Sequence, residues 1–94
     1  MVLFNNGLIV QYGTTHLTDG HNYTTFPTSF TSTNFVVSYE HYWENGNKNA
    51  IMIAKTTLKE LGRIFTQTLH VTSESSKVSI PDWDVDFYFI VIGY

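Results

Sequence analysis

The last eight residues of the chain, 87–94, constrain the possible folds more than any other stretch. With the two-residue period of a β-strand, their side chains alternate between two faces. The two faces consist of Phe87, Phe89 and Val91 on one side and of Tyr88, Ile90, Ile92 and Tyr94 on the other. Apart from the tyrosine hydroxyls, neither face is polar, so we expect both to be covered, one of them by the core of this chain. A second copy of the chain is one candidate for the other cover, and a central position in a monomeric β-sandwich is the alternative.

The length of the chain limits it to one domain. Its 94 residues leave no room for a second core, so residues 1–94 are interpreted as a single domain. A chain of this size buries only about 60–65% of its unfolded surface, and we expect its stability in isolation to be small. The absence of cysteine excludes disulfides as a source of further stability. Strand-like residues follow Met1 at once, which suggests a domain of a longer protein with its other residues upstream.

The balance of charged and aromatic residues favours β-structure and argues against nucleic acid. Aromatic residues make up 16% of the chain and charged residues only 14%, against about 25% charged residues in an average protein. Such a composition suits sheets and interfaces. The net charge is −3, and the five Lys and Arg residues form no basic stripe, so no nucleic-acid partner is expected. Apolar runs stay far below the ~20 residues of a membrane span, so we expect no membrane insertion.

The pattern of apolar residues predicts an all-β fold. No segment longer than a few residues has helical periodicity, whereas β-branched and aromatic residues occur throughout. We expect six to seven antiparallel strands, packed as a β-sandwich. The predicted strands are 8–12, 22–26, 34–43, 50–57, 63–71, 78–80 and 87–94. Residues 14–20 are polar and are predicted to form a loop.

Asn45 and Gly46 predict a tight turn in the middle of the chain. Both residue types adopt the positive φ angles that two-residue hairpin turns require. We therefore expect strand 50–57 to return alongside strand 34–43 and to pair with it in antiparallel orientation.

The sequence contains no recognisable catalytic or metal-binding motif. The four histidines have no metal-ligand spacing, and neither a Gly-x-Ser-x-Gly elbow nor a Gly-rich phosphate loop is present. Asp82, Asp84 and Asp86 would share one face of an extended strand, and paired carboxylates can cleave glycosides. Exposed acids in a loop are the alternative, and the one that we adopt. We accordingly expect no enzymatic activity, no metal and no cofactor.

Two aromatic segments are candidates for receptor binding. They consist of Tyr42, Trp43, Asn45 and Asn47 around the predicted turn and of Asp82 and Trp83 before the last strand. Rings that stack on the C–H faces of sugars, next to amides that bind hydroxyls, are typical of carbohydrate sites. The alternative is that Tyr42 and Trp43 divide between core and surface and leave an ordinary Asn-rich turn.

Three segments resemble the C-terminal domain of bacteriophage tail-fibre proteins. They are Asn-Gly-Leu-Ile-Val-Gln-Tyr-Gly at 6–13, Phe-Pro-Thr-Ser-Phe at 26–30 and Phe-Ile-Val-Ile-Gly-Tyr at 89–94. That family typically has a Gly-hydrophobic-hydrophobic-x-Gln-Trp-Gly strand, a Phe-Pro-x-x-Phe bend and an aromatic-Ile-Ala-Ile-Gly-Tyr end. The chain departs from it by Tyr12 and Phe89 in place of Trp and by Val91 in place of Ala. Residues 34–81 contain no motif that we recognise.

The resemblance implies a β-sandwich at the distal tip of a virion tail fibre, assembled as a homotrimer that contacts the bacterial surface. The expected partners are further copies of the chain and a bacterial surface glycan or outer-membrane receptor. The predicted association surface consists of Leu8, Val10, Ile90, Val91 and Ile92. A structural domain that only trimerises and caps the fibre is one alternative function, and a monomeric carbohydrate-binding module is another.

Overall fold

The structure, a computed structural model, describes residues 1–41, 50–72, 77–81 and 83–94. These residues form strands and connections only, which confirms the all-β prediction, and they contain no helix able to cross a membrane. The described residues contain eight strands: β1 (Val2–Leu3), β2 (Ile9–Leu17), β3 (His21–Thr25), β4 (Val36–Glu40), β5 (Ala50–Lys59), β6 (Arg63–Thr72), β7 (Lys77–Ser79) and β8 (Val85–Gly93). The number of described strands is larger than the predicted six to seven because β1 is an additional short strand at the start of the chain.

The strands form two antiparallel sheets. Sheet 1 has the order β1-β2-β8-β4, and sheet 2 has the order β3-β6-β5, with β7 also paired to β6. In sheet 1 the last strand is central. It pairs with β2 from Ile9↔Gly93 to Leu17↔Val85 and with β4 on its other side. Sheet 1 is therefore organised around the stretch that has two apolar faces.

The predicted pairing of strand 50–57 with strand 34–43 is wrong. β4 lies in sheet 1 against β8, whereas β5 lies in sheet 2 against β6. An Asn-Gly turn indicates that the chain reverses, but the returning strand can either pair with its predecessor or pack across from it in the facing sheet. The second arrangement occurs here: β8, from the far end of the chain, pairs with one edge of β4, and β5 pairs with β6 in the facing sheet. Residues 42–49, with the predicted turn itself, lie outside the described residues.

The predicted loop at residues 14–20 is also wrong, because β2 continues to Leu17. The chain then reverses through a two-residue turn in which Asp19 has φ 52° and Gly20 has φ 84°. Thr18 and His21 flank this turn and exchange two backbone hydrogen bonds of 3.2 Å. Asp-Gly with two positive φ angles is a preferred hairpin turn. The threonines before it suit a strand because they are β-branched.

The core lies between the two sheets and confirms the alternation predicted for the last strand. Phe87, Phe89 and Val91 are at most 6% exposed, whereas Tyr88 and Ile90 point outward. The buried residues form two clusters, one of Phe26, Phe30, Phe35, Ile64, Phe89 and Val91 and the other of Leu17, Met52, Val85 and Phe87.

A row of buried hydroxyl groups crosses the same core. The Thr15 and Thr24 hydroxyls are 2.6 Å apart, and Thr24 is 3.0 Å from the hydroxyl of Thr66. The Tyr39 hydroxyl joins the row through Thr66 at 3.0 Å and Thr56 at 2.8 Å. Within the described residues, no buried side-chain nitrogen or oxygen lacks a partner. Because the row links strands of both sheets, shifting one sheet against the other would leave buried hydroxyls unpaired.

Candidate functional site

The outer surface of sheet 1 is apolar at one end. Cross-strand pairing aligns Val2, Val10, Ile92 and Val36 in one row across four strands. The next row consists of Tyr12, Ile90 and Ser38. We call the surface formed by these seven residues the sheet-1 face. Val36 is 66% exposed, Tyr12 56% and Ile92 42%. Monomeric soluble proteins rarely expose large contiguous apolar patches, which more often mark contacts with other molecules.

The outer surface of sheet 2 also exposes apolar residues, including Ile51, Ile53 and Leu58. There, however, a polar row of Lys55, Gln67 and His21 crosses all three main strands between the apolar ones. The two rows of the sheet-1 face contain no charged residue. This face is therefore the better candidate for a surface that becomes buried against another molecule.

Four of the five residues predicted for the association surface are available to a partner. Leu8 and Val10 are half-buried, and Ile90 and Ile92 are exposed. The assignment of Val91 to that surface is wrong, because its side chain is 0% exposed and packs in the core. The two-residue period turns Val91 away from its neighbours Ile90 and Ile92.

The other end of sheet 1 carries a small charged cluster. The His16 ring is hydrogen-bonded through Nδ1 to Asp86 at 2.6 Å and through Nε2 to Asp84 at 3.2 Å. These two hydrogen bonds raise the pKa of His16 above its ordinary value. Both acids thus bind one imidazole. In the described ranges, no group of three or more His, Cys, Asp or Glu side chains is arranged to hold a metal ion.

Of the six residues predicted for receptor binding, the structure describes Trp83. Trp83 is 46% exposed, and its ring meets the ring of His70 edge-on, at 5.4 Å between centroids and an angle of 78°. Trp83 is therefore accessible to a ligand and has an aromatic neighbour from β6. The other five residues, Tyr42, Trp43, Asn45, Asn47 and Asp82, lie outside the described residues.

A groove of about 390 Å³, which the sequence analysis missed, opens at the side of the molecule between β2 and β3. We call it the β2–β3 groove. The two strands leave the Asp19–Gly20 turn as a hairpin and then enter different sheets. Its lining residues include Tyr23, Asn22, several threonines and Tyr12, which also belongs to the sheet-1 face. The signal that could have indicated it is the Asp-Gly pair, which marks a hairpin within the segment interpreted as a loop.

These features define the class of protein. The described residues form a helix-free domain of two antiparallel sheets, and the apolar outer face of sheet 1 is exposed. The family follows from a comparison with protein-family models. Residues 3–94 match the family described as "Putative tail fiber protein gp53-like, C-terminal". The chain belongs to this family, and the resemblance to phage tail fibres is confirmed over nearly its whole length. No curated protein and no solved structure matches it significantly.

Proposed function

We propose that this chain is the distal tip domain of a phage tail fibre, that it folds as a β-sandwich, and that as a homotrimer it binds a receptor on the host surface. Membership of a tail-fibre family supports its place in the virion. The observation that carries the rest of the proposal is the open sheet-1 face, because an apolar surface of four strands needs a cover.

The sheet-1 face is suited to association between copies of the chain. Its first row crosses four strands, which corresponds to about 15 Å at ordinary strand spacing. Turning the same face of three copies toward a common axis would remove these side chains from water. The chain's own core already covers one apolar face of β8. Contact between copies would cover the other. Sedimentation at micromolar concentration tests the proposal: a trimer is expected, and a single monomeric species would contradict it.

A surface glycan is the receptor that we propose. Trp83 offers an exposed ring, and the sequence around the predicted Asn45–Gly46 turn combines rings with amides. One aromatic stack at an exposed site contributes about 1 kcal/mol. Useful adhesion would therefore come from three copies per fibre and several fibres per virion binding together. We propose that the domain binds this glycan without cleaving it, since Asp84 and Asp86 are both engaged by His16.

Receptor binding is tested by changing Tyr42, Trp43, Asn47 and Trp83 to Ala one at a time. Each purified variant first has to match the parent in oligomeric mass and melting temperature. It is then used to compete with the phage for adsorption to host cells, where loss of competition by at least one variant is expected. If all four variants compete like the parent, these two segments are not the receptor site.

The open apolar face also favours a second function, a domain that only trimerises and caps the fibre. Such a domain would form the trimer but would not compete with the phage for adsorption, even as the unaltered parent. A monomeric carbohydrate-binding module would behave in the opposite way, with glycan binding and no assembly. Mass and competition measured together therefore distinguish all three functions.

A further inference from the structure

We propose that the β2–β3 groove binds a neutral sugar unit of the receptor glycan. This inference rests on the proposed receptor-binding function and gives it a site outside the two aromatic segments predicted from the sequence. The volume of about 390 Å³ lies within the range of sites for small ligands.

The groove lies between two strand edges. β1 pairs with β2 only at Ile9 and Val10, so the rest of that edge of β2 has no strand beside it among the described residues. β3 is the end strand of sheet 2. Exposed strand edges carry backbone N–H and C=O groups that lack a ladder partner. Sugar hydroxyls can donate to and accept from such groups, because each hydroxyl does both.

The floor of the groove has an apolar part because Gly13 has no side chain. Gly13 lies between Gln11 and Thr15, whose side chains are buried. A Cβ at position 13 would be 3.3 Å from Cε1 of Phe89 and would fill this space. Without it, the edge of the Phe89 ring contributes to the lining. An aromatic edge beside hydroxyl groups matches the alternation of C–H and O–H groups on a sugar ring.

The walls of the groove are held in place before any ligand arrives. The ring of Tyr23 packs edge-on against the ring of Phe65, with 5.1 Å between centroids. The guanidinium carbon of Arg63 lies 3.9 Å from the centroid of the Tyr23 ring. The Asn22 amide donates to the carbonyl of His16 at 3.1 Å, which ties β3 to β2. Groups that are already ordered lose little entropy on binding. Thr14 and Thr25, both exposed, complete the polar part of the lining.

The charge of the lining favours a neutral sugar over an acidic one. Among the described residues, no Lys, Arg, Asp or Glu lines the groove. Its one titratable imidazole, His16, is bound by the carboxylates of Asp84 and Asp86. Arg63, which stacks on Tyr23, is likewise paired, with Glu60 at 3.0 Å. An acidic sugar would therefore find no unpaired cation among these groups to offset its charge.

The proposal is tested on the full domain with Thr14→Val and Thr25→Val, which remove one hydroxyl each and keep the side-chain shape. Thr33→Val is the matched control, because Thr33 is exposed and lies outside the groove. The probe is a printed array of bacterial O-antigen and capsular polysaccharides of known charge, followed by titration calorimetry with those that bind. We expect neutral polysaccharides to bind, about fivefold weaker binding by each groove variant, and no change with the control.

Each other outcome is decisive. If neutral polysaccharides bind and both groove variants bind them like the parent, the sugar lies elsewhere and only this inference is overturned. Binding of acidic polysaccharides alone also overturns it. If no polysaccharide binds but the domain still competes for adsorption, the receptor is not a glycan, and receptor binding survives without this site. If neither occurs, the proposed function fails as well.

Discussion

Gln11 and the backbone of Thr28 exchange two hydrogen bonds. The Gln11 amide donates from Nε2 to the Thr28 carbonyl, and its Oε1 accepts from the Thr28 N–H, both at 2.9 Å. Gln11 is 0% exposed, so a buried amide holds the bend at 26–30 against β2. The N–H of Thr31 then donates to the carbonyl of Tyr94 at 2.8 Å. The three segments that resemble tail fibres are thus joined in one contact region.

The first prediction concerns this amide. Gln11→Glu keeps the size of the side chain but removes the donor, so the Thr28 carbonyl faces a carboxylate oxygen in a buried position. We expect the free energy of unfolding to fall by about 1–3 kcal/mol, as for other buried groups that lose a partner. Denaturant unfolding measures the change. Asn34→Asp makes the same amide-to-acid change at an exposed position and should be nearly neutral. Equal stability of the two variants would contradict the role given to Gln11.

The second prediction concerns Gly93, which packs directly against Phe35. A Cβ at position 93 would lie 2.6 Å from the Cβ and 3.0 Å from the Cα of Phe35, so either β8 or the segment just before β4 has to move. We expect Gly93→Ala to destabilise the fold by about 1–3 kcal/mol. The control is Gly62→Ala, whose nearest neighbour is the Ser29 hydroxyl at 3.0 Å, a group that can rotate away. In thermal unfolding, the melting temperature of Gly93→Ala should fall further than that of Gly62→Ala. An equal fall in both variants would show that the contact with Phe35 is not the cause.

The third prediction concerns pH. Hydrogen bonds to Asp86 and Asp84 raise the pKa of His16 above 6.5 in the folded state. The folded state therefore binds the proton more tightly than the unfolded state. The resulting stabilisation is fully present below the unfolded pKa and is lost as the pH rises through the higher folded pKa.

The measurement is the denaturant midpoint of the parent and of His16→Gln across this pH range. Burial lowers the pKa of His41, which acts in the opposite direction, but that contribution is common to both proteins and cancels in their difference. The difference should shrink as the pH rises. A difference that stays constant would mean that the His16 cluster does not titrate as described.

The fourth prediction separates two neighbouring residues of β8. Ile92→Asp puts a charge on the sheet-1 face, so we expect the proposed trimer to dissociate while the circular dichroism spectrum is retained. Val91→Asp buries an unpaired carboxylate in the core, which costs several kcal/mol out of a total stability of about 5–15 kcal/mol, and should unfold the chain. Ile53→Asp is the control, because Ile53 is 48% exposed on sheet 2. If the Ile92→Asp and Ile53→Asp variants both keep the oligomeric mass of the parent in solution, the sheet-1 face is not the association surface.

The class of fold and the faces of the last strand could be predicted from the sequence alone. Both depend on the two-residue period of side chains along a strand, which is a local property. The inward positions of Phe87, Phe89 and Val91 follow directly from it. The family motifs were also local, since each consists of a few consecutive residues. The same period already separated Val91 from Ile90 and Ile92, so its assignment to the association surface neglected a signal that the sequence contained.

Strand partners and the groove were decided by the tertiary structure. β4 pairs with β8, about fifty residues further along the chain, because a strand edge can be satisfied by any strand that reaches it, and a local turn does not specify which one. The extension of β2 to Leu17 likewise depends on β8, which pairs with it to Val85. The β2–β3 groove exists because two strands that begin as a hairpin end in different sheets. Such a space is defined by the positions of both sheets, and no single segment of the sequence contains that information.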